Sequence, residues 1–266
     1  MRAILNFITD LYTSRYTLIG LAKNDFKARF AKSFLGIIWA FIQPLVTLLV
    51  MWFVFQVGFR NAPIDDVAFV AWMTPAYLVW SFFSEALTSV TNSLLEYQYL
   101  LKQVNFRTSI IPLVKIISSA FVHSVFIIFI FIVLVAYKIP FSIYNIQVIY
   151  YFFCVIVLLV GMGWLLSALS VFVPDVANIT NVVIQIGFWA TPIFWVDTGM
   201  TPVVKFILQL NPMYYVCQGY RDSFIAHVWF WERPETTLIF WVVTGIWFVA
   251  GIFVFKKLRP YLVDIL

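Results

Sequence analysis

Charged residues make up only 11% of this chain of 266 residues, whereas apolar residues make up 63%. A soluble domain of this size has a much smaller apolar share. Cysteine is nearly absent as well, and Cys154 and Cys217 do not have the spacing of a metal site or of a disulfide framework. The composition therefore excludes a soluble globular domain and predicts a protein with several membrane spans.

Motifs for catalysis are also missing. The two histidines, His123 and His227, lie far apart in sequence, and no His-Glu-x-x-His pattern is present for a metal-dependent hydrolase. No Gly-x-x-x-x-Gly-Lys-Ser/Thr loop occurs to hold nucleotide phosphates. We therefore predict no catalytic residues, no metal site and no cofactor in this chain. If transport is active, another subunit must supply the energy.

The net charge of +5 does not indicate nucleic acid binding, because the basic residues form no stripe interleaved with aromatic residues. They lie beside apolar segments, so anionic membrane lipids are the expected partner. Six of the 17 Lys and Arg residues precede the first apolar run, namely Arg2, Arg15, Lys23, Lys27, Arg29 and Lys32. Since positive segments stay inside, this distribution places the N-terminus in the cytoplasm.

Six apolar segments have the length of roughly 20 residues that a helix needs to cross a bilayer. They are residues 34–59, 67–90, 110–137, 146–173, 176–196 and 237–255. An even number of spans returns the C-terminus to the cytoplasm, where Lys256, Lys257 and Arg259 follow the last span. The sequence therefore predicts an all-α membrane protein with six transmembrane helices and both termini inside.

Two further segments are predicted to be helical without spanning. In the cytoplasmic arm, residues 1–33, an apolar stripe recurs every four residues and predicts an amphipathic interfacial helix, with members Ala22, Phe26, Phe30 and Phe34. Its other face groups Asp25, Arg29 and Lys32. Residues 197–236 contain apolar runs too short to span, which predict short outer-leaflet helices between spans five and six. Residues 34–266 then form a single transmembrane domain.

The stretch 92–108, between spans two and three, mixes leucines with charged and aromatic residues. Such a short helix can dock in a groove of another subunit through its apolar face. The candidate contacts are Leu95, Glu96, Tyr97, Tyr99, Leu100 and Lys102. An ordinary loop helix lying at the lipid head groups is the alternative.

Few ionisable residues fall within the predicted spans. Glu85 is the only carboxylate there, and both a functional role and a hydrogen-bonded packing role are open for it. His123 is expected to be a hydrogen-bonded interior residue and not a ligand. This scarcity argues against a proton-coupled carrier, which would need more buried acids and bases.

Residues 27–45, KARFAKSFLGIIWAFIQPL, resemble the signature of type-2 ABC exporter permeases that move lipid-linked polysaccharides. Three further matches follow in the family's order: residues 101–106 with Ile111-Pro112, residues 191–195, and residues 210–215 with Tyr220-Arg221. The chain departs from the pattern at Arg107, where family members often have Pro, and at residues 172–175, where it lacks the usual Arg before Asp175.

The resemblance implies a multi-pass protein of the bacterial cytoplasmic membrane. It implies a homodimer with two copies of a separate ATPase, which binds ATP and Mg²⁺ and contacts the helix at residues 96–102. The implied substrate is an undecaprenyl-pyrophosphate-linked cell-envelope polymer, with wall teichoic acid permeases as the most similar branch and O-antigen or capsule permeases as the alternative. A drug or lipid exporter of the same type, and an intramembrane enzyme of lipid-linked glycan metabolism, are the competing functions.

Two sets of residues are candidates for substrate contact in such an exporter. The basic arm could hold the diphosphate head group through Lys23, Lys27, Arg29 and Lys32, or could only orient the first helix. Rings that stack on sugar faces are expected along the path, with candidates Tyr77, Trp80, Phe83, Phe188, Trp189 and Trp195. For each ring, packing between helices or lipid contact is the alternative. Pro192 is predicted to break the fifth span and to free backbone carbonyls, which protein or a watery cavity must satisfy.

Overall fold

The computed structural model describes residues 15–31, 34–59, 62–64, 66–102 and 107–265, and regular structure within these ranges is helical. One isolated bridge joins Ile64 and Val67. The prediction of an all-α chain is confirmed for this part of the molecule. Lys32 of the basic arm, the Phe30 side chain and most of the 101–106 motif lie outside the described residues.

The helices follow one another along the chain as α1 (Arg15–Phe30), α2 (Trp39–Trp52), α3 (Phe69–Thr91), α4 (Ser93–Glu96), α5 (Gln98–Leu101), α6 (Ile111–Ala136), α7 (Val148–Phe172), α8 (Asp175–Ala190), α9 (Pro202–Gln209), α10 (Pro212–Arg221), α11 (Pro234–Leu258) and α12 (Leu262–Ile265). A π-helical turn, Phe53–Gly58, extends α2. Each of the six predicted spans contains one long helix, in the order α2, α3, α6, α7, α8 and α11.

Four helical stretches of the described chain are long and apolar enough to cross a membrane: Gly36–Gly58, Thr108–Ala136, Ile143–Phe172 and Pro234–Tyr261. Helix α8 falls short because it has 16 residues, or about 24 Å at 1.5 Å per residue, and ends before Pro192. Helix α3 has 23 residues but carries Ser, Thr and Glu side chains. The count of six spans therefore stays a prediction.

Helix α3 tolerates these polar residues because it lies at the centre of the bundle. It packs against α6, α7, α8 and α10, and its Met73, Leu78 and Val79 side chains are fully buried. The most extensive contact between two helices joins α7 and α11. A Cβ atom on Gly251 would lie 2.2 Å from the carbonyl oxygen of Gly161, so glycine lets these two backbones approach closely.

The bundle has two chemically different ends. The end that we call the arm end collects α1, the α4–α5 loop and the C-terminal helix, with Leu94, Leu101 and Leu262 in one apolar cluster. The opposite end holds residues 139–147 and 191–233. There α9 exposes Val203 and Phe206, whereas α10 is buried against α3 and α7.

Helix α1 differs from the predicted amphipathic pattern. Leu18, Ala22 and Asp25 are all buried on the face that packs against α6, and Arg29 follows on the same face. Residues at these spacings share one side of a helix, so the expected separation of Asp25 and Arg29 from the apolar stripe is wrong. The charged groups turn inward because α6 supplies a buried partner, Lys115.

Candidate functional site

A cavity of about 770 Å³ opens between α2, α3 and α8 and extends toward the arm end. Its chemistry changes along its length. Tyr77 and Trp80 from α3 and Phe188 from α8 line the part nearer the opposite end. Closer to the arm end the lining is polar, with hydroxyl, amide and charged side chains from Ser84, Thr88, Ser89, Asn92, Asn181 and Gln185, and from Arg29, Glu85 and Glu96. The lining thus combines aromatic rings, including Trp39 at the start of α2, with polar and charged groups.

Three of the six predicted path aromatics meet in this cavity. The ring centroids of Trp80 and Phe188 lie 6.1 Å apart. A Cβ atom on Gly187 would lie 2.9 Å from the Trp80 ring, so this glycine makes room for the indole against α8. Phe194 was not among the predicted aromatics. Its ring centroid lies 5.2 Å from that of Phe188, so it extends the aromatic group.

The other three predicted aromatics do not line the cavity. Phe83 is buried, and its ring centroid lies 5.5 Å from that of Trp80. Two steps of three residues rotate it about 120° from Tyr77, which carries it past the cavity face. Trp189 is 59% exposed and lies outside the cavity lining. Trp195 donates its indole N–H to the Trp189 carbonyl at 3.2 Å.

A chain of ion pairs forms the wall of the cavity at the arm end. Lys115 Nζ lies 2.5 Å from a Glu96 oxygen and 2.6 Å from an Asp25 oxygen. Asp25 in turn faces Arg29 at 3.4 Å, and Arg29 pairs with Glu85. Arg29 also donates to Ser89 Oγ at 3.1 Å. We call Glu96, Lys115, Asp25, Arg29 and Glu85 the charge chain. Their charges alternate in sign, with three acids and two bases.

Asp25 is the anion at the centre of the charge chain. Burial alone would favour its protonated form, but hydrogen bonds from Lys115 and Tyr97 outweigh that effect and hold the pKa of Asp25 below its ordinary value. The Tyr97 hydroxyl donates to Asp25 at 2.8 Å. Burial, followed by this bond to a carboxylate, raises the pKa of Tyr97, so the hydroxyl keeps its proton at neutral pH.

The predicted docking helix forms two single turns, α4 and α5, with Tyr97 between them. Leu100 is 8% exposed and faces the bundle, so it does not belong to an outward surface. Leu95, Tyr99 and Lys102 remain exposed, as does Glu96. The apolar face of the loop is therefore held by its own chain, and the outward face is mixed.

The basic arm divides into two kinds of cation. Lys23 and Lys27 are exposed on α1, whereas Arg29 is half-buried and engaged with Glu85 and Asp25. Lys115 was missed in the sequence interpretation, although a lone Lys within an apolar helix is a signal for function. Glu85 lies at the cavity wall, where its pairing with Arg29 joins α1 to α3.

The break after α8 is satisfied by protein, which is one of the two alternatives that the sequence left open. Arg221 donates to the carbonyl oxygens of Pro192 at 2.6 Å and of Ile193 at 2.7 Å. Its guanidinium also lies 3.5 Å from the centre of the Trp72 ring. His123 is buried and lies 2.8 Å from the Tyr220 hydroxyl, which confirms its prediction as an interior hydrogen-bonded residue.

Comparison with known proteins agrees with this architecture. Residues 16–225 match the family described as ABC-2 type transporter. The chain is 25% identical over 258 residues to the O-antigen export system permease protein RfbA of Myxococcus xanthus, covering 94% of this chain and 96% of that protein. It is 23% identical over 277 residues to the RfbA permease of Klebsiella pneumoniae, covering 100% and 98% respectively. Because the family match spans most of its length, this chain belongs to the ABC-2 type transporter family.

Proposed function

We propose that this chain is the transmembrane permease subunit of an ATP-driven exporter that moves a lipid-linked polysaccharide across the cytoplasmic membrane. ABC-2 permeases are multi-pass membrane subunits that work with a separate ATPase. The observation that carries the proposal is the cavity between α2, α3 and α8, which combines aromatic rings with hydroxyl and amide groups.

This lining suits a sugar chain. Aromatic rings such as Tyr77 and Trp80 offer apolar faces for the C–H surfaces of sugars, and they do so without selecting one order of hydroxyls. Ser84, Thr88 and Gln185 offer donors and acceptors for sugar hydroxyls. A hydrophobic drug would not need the polar part of the cavity, so a polysaccharide fits the whole lining better.

The lining suits an anion less well. Among the described residues, Arg29 is the cation that lines the cavity, and Glu85 already pairs with it, while Glu96 adds a second negative charge to the wall. A diphosphate would have to displace a carboxylate to reach Arg29. We therefore assign the glycan to the cavity, and the diphosphate head group to the exposed Lys23 and Lys27 on α1, outside it.

The names of the relatives favour one polymer class. The proteins from Myxococcus xanthus and Klebsiella pneumoniae are both named as O-antigen export permeases. This supports an O-antigen type of polysaccharide on an undecaprenyl-pyrophosphate carrier as the substrate. Wall teichoic acid, the first expectation from the sequence, becomes the alternative in the test.

The proposed assembly is a homodimer with two ATPase subunits at the arm end, which faces the cytoplasm. The exposed residues Leu95, Tyr99 and Lys102 of the α4–α5 loop form the contact with the ATPase in this proposal. Six spans with both termini inside are consistent with Lys256, Lys257 and Arg259 at the end of α11, beside the charge-rich arm.

The test is reconstitution of the permease with its partner ATPase in proteoliposomes that contain a purified lipid-linked polymer. We expect an O-antigen type polymer to stimulate ATP hydrolysis and to cross the bilayer more than tenfold faster than teichoic acid. Trp80→Ala should slow export about tenfold, whereas Trp189→Ala, which alters an exposed ring outside the cavity, should leave export within twofold. Stimulation by neither polymer, or equal effects of the two substitutions, would contradict the proposal.

A further inference from the structure

The charge chain contains a residue that no sequence motif assigns. Lys115 is 5% exposed, near the start of α6, and no other Lys, Arg, Asp or Glu occurs in that helix. A buried ammonium group is costly unless carboxylates surround it, and here two do, at 2.5 Å and 2.6 Å. These carboxylates come from different elements: Glu96 from the α4–α5 loop and Asp25 from α1.

Three of the four ion pairs of the charge chain join two parts of the bundle, and the fourth, Asp25–Arg29, lies within α1. Lys115 ties α6 to the loop through Glu96 and to the arm through Asp25. Arg29 then ties the arm to α3 through Glu85. Glu96, Arg29 and Glu85 all line the cavity. The loop proposed to contact the ATPase is therefore linked, by contiguous charged groups, to the wall of the proposed transport path.

We infer that Lys115 is a positioning residue that fastens the ATPase-facing loop to the arm and, through it, to the cavity wall. When the ATPase moves the loop, Lys115 makes α1 and the Arg29–Glu85 pair on the wall move with it. This inference rests on the proposed function for the identity of the moving partner and of the cargo. It assigns Lys115 no contact with either.

The alternating signs explain why one residue has this effect. Without Lys115, Glu96 and Asp25 are two carboxylates with no cation between them, so their former attraction through Lys115 becomes repulsion. The charged link between the loop and α1 is then lost, and a single neutral bond, from the Tyr97 hydroxyl of the loop to Asp25, still joins them. The arm stays folded on α6, and the loop moves it only through that one bond.

The experiment uses the full permease–ATPase complex in nanodiscs, with three variants: Lys115→Met, Lys115→Arg and the control Lys138→Met. Lys138 is an exposed cation just beyond the other end of α6. The first readout is hydrogen exchange in residues 15–30 with and without a non-hydrolysable ATP analogue. We expect the analogue to change exchange in the wild type, in Lys115→Arg and in Lys138→Met. In Lys115→Met, where the Tyr97–Asp25 bond remains, this change should fall by at least half.

The second readout is ATP hydrolysis with and without the lipid-linked polymer. Basal hydrolysis of Lys115→Met should stay within twofold of wild type, and polymer stimulation should fall at least twofold, with rescue by Lys115→Arg. A full nucleotide effect on the arm in Lys115→Met would overturn the inference. Should Lys115→Met not assemble, Asp25→Asn decides in its place, since it cuts the same link and leaves Lys115 paired with Glu96.

The two readouts separate the inference from the proposed function. If no polymer stimulates the wild-type complex, the proposed function is wrong, and the nucleotide effect on residues 15–30 still decides the role of Lys115. If the wild type responds to polymer and Lys115→Met responds equally, the proposed function stands and the inference is wrong.

Discussion

Two buried cations, one at each end of the bundle, are held in opposite ways. Lys115 at the arm end is bound by carboxylates from two other elements, whereas Arg221 at the opposite end is bound by neutral carbonyls of Pro192 and Ile193. Both are almost fully buried, with 5% and 2% of their surface exposed. Burial alone therefore does not distinguish a link between elements from a structural support; the partners do.

The choice of residue follows from the partners. The planar guanidinium of Arg221 presents several N–H groups in a fixed fork, which reaches two successive carbonyls at the end of a broken helix. Lys115 presents a compact charge that two separate carboxylates approach from different sides. The first arrangement fixes one backbone geometry, and the second holds together parts that can separate.

The largest loss of stability is expected when Arg221 is replaced. Arg221→Leu leaves the carbonyls of Pro192 and Ile193 unsatisfied in the bundle, and it removes the contact with the Trp72 ring. At about 1–3 kcal/mol for each buried carbonyl, we expect the free energy of unfolding to fall by about 2–6 kcal/mol. Thermal unfolding in detergent measures this loss of stability, with labelling of the buried Cys154 and Cys217 thiols as the signal for unfolding.

Arg221→Lys serves as the control for charge. An ammonium group cannot reproduce the fork, so we expect an intermediate loss of stability. A Lys variant as stable as wild type would mean that charge alone supports the break after α8, and the contrast with Lys115 would disappear.

A smaller effect is expected at the arm end. Lys115→Met should lower the free energy of unfolding by about 2 kcal/mol, less than the 3–5 kcal/mol of a fully stranded buried ion, because Asp25 keeps Tyr97 and Arg29. The double variant with Asp25→Asn should cost about 1–2 kcal/mol less than the two single changes added together. Equilibrium unfolding of all four proteins in one detergent measures this coupling.

Strict additivity in that cycle would show that Lys115 and Asp25 do not interact across α1 and α6. The arm-end network would then be a set of independent pairs, and its contrast with Arg221 would lose its basis.

Much of the scaffold could be predicted from local sequence. Apolar length gave the positions of all six long helices, and Pro192 marked the end of α8. The spacing of Tyr77 and Trp80 placed both rings on the cavity face. These features depend on residues close together in the chain, where helix geometry alone relates one side chain to the next.

The charge chain could not be predicted in this way. Lys115 and Asp25 are 90 positions apart, so no periodicity relates them. The same limit explains the two errors of orientation. Asp25 turns inward because of Lys115, and Leu100 is buried against the rest of the chain, with 8% of its surface exposed. A pattern tells which residues share a face but not what that face meets.

The smallest expected effect is the response of the arm to acid, which tests whether Asp25 carries its charge in the folded protein. Its pKa lies below the ordinary value of about 3.9, so its stabilisation of the docked arm is complete above that pH. It is lost only as the pH falls through the lower, folded-state pKa.

A fluorophore on Lys27→Cys, an exposed position on α1, reports arm mobility through its anisotropy. The buried Cys154 and Cys217 leave the introduced thiol as the accessible one within the described residues. We expect the anisotropy to decrease as the pH falls below about 4, where Asp25 loses its charge. In Asp25→Asn the arm should already be more mobile at pH 7, with a weaker response to acid. If Asp25→Asn shows an acid transition of equal size, protonation of Glu85 or Glu96 at the cavity wall causes the transition, and the charge of Asp25 on the arm does not.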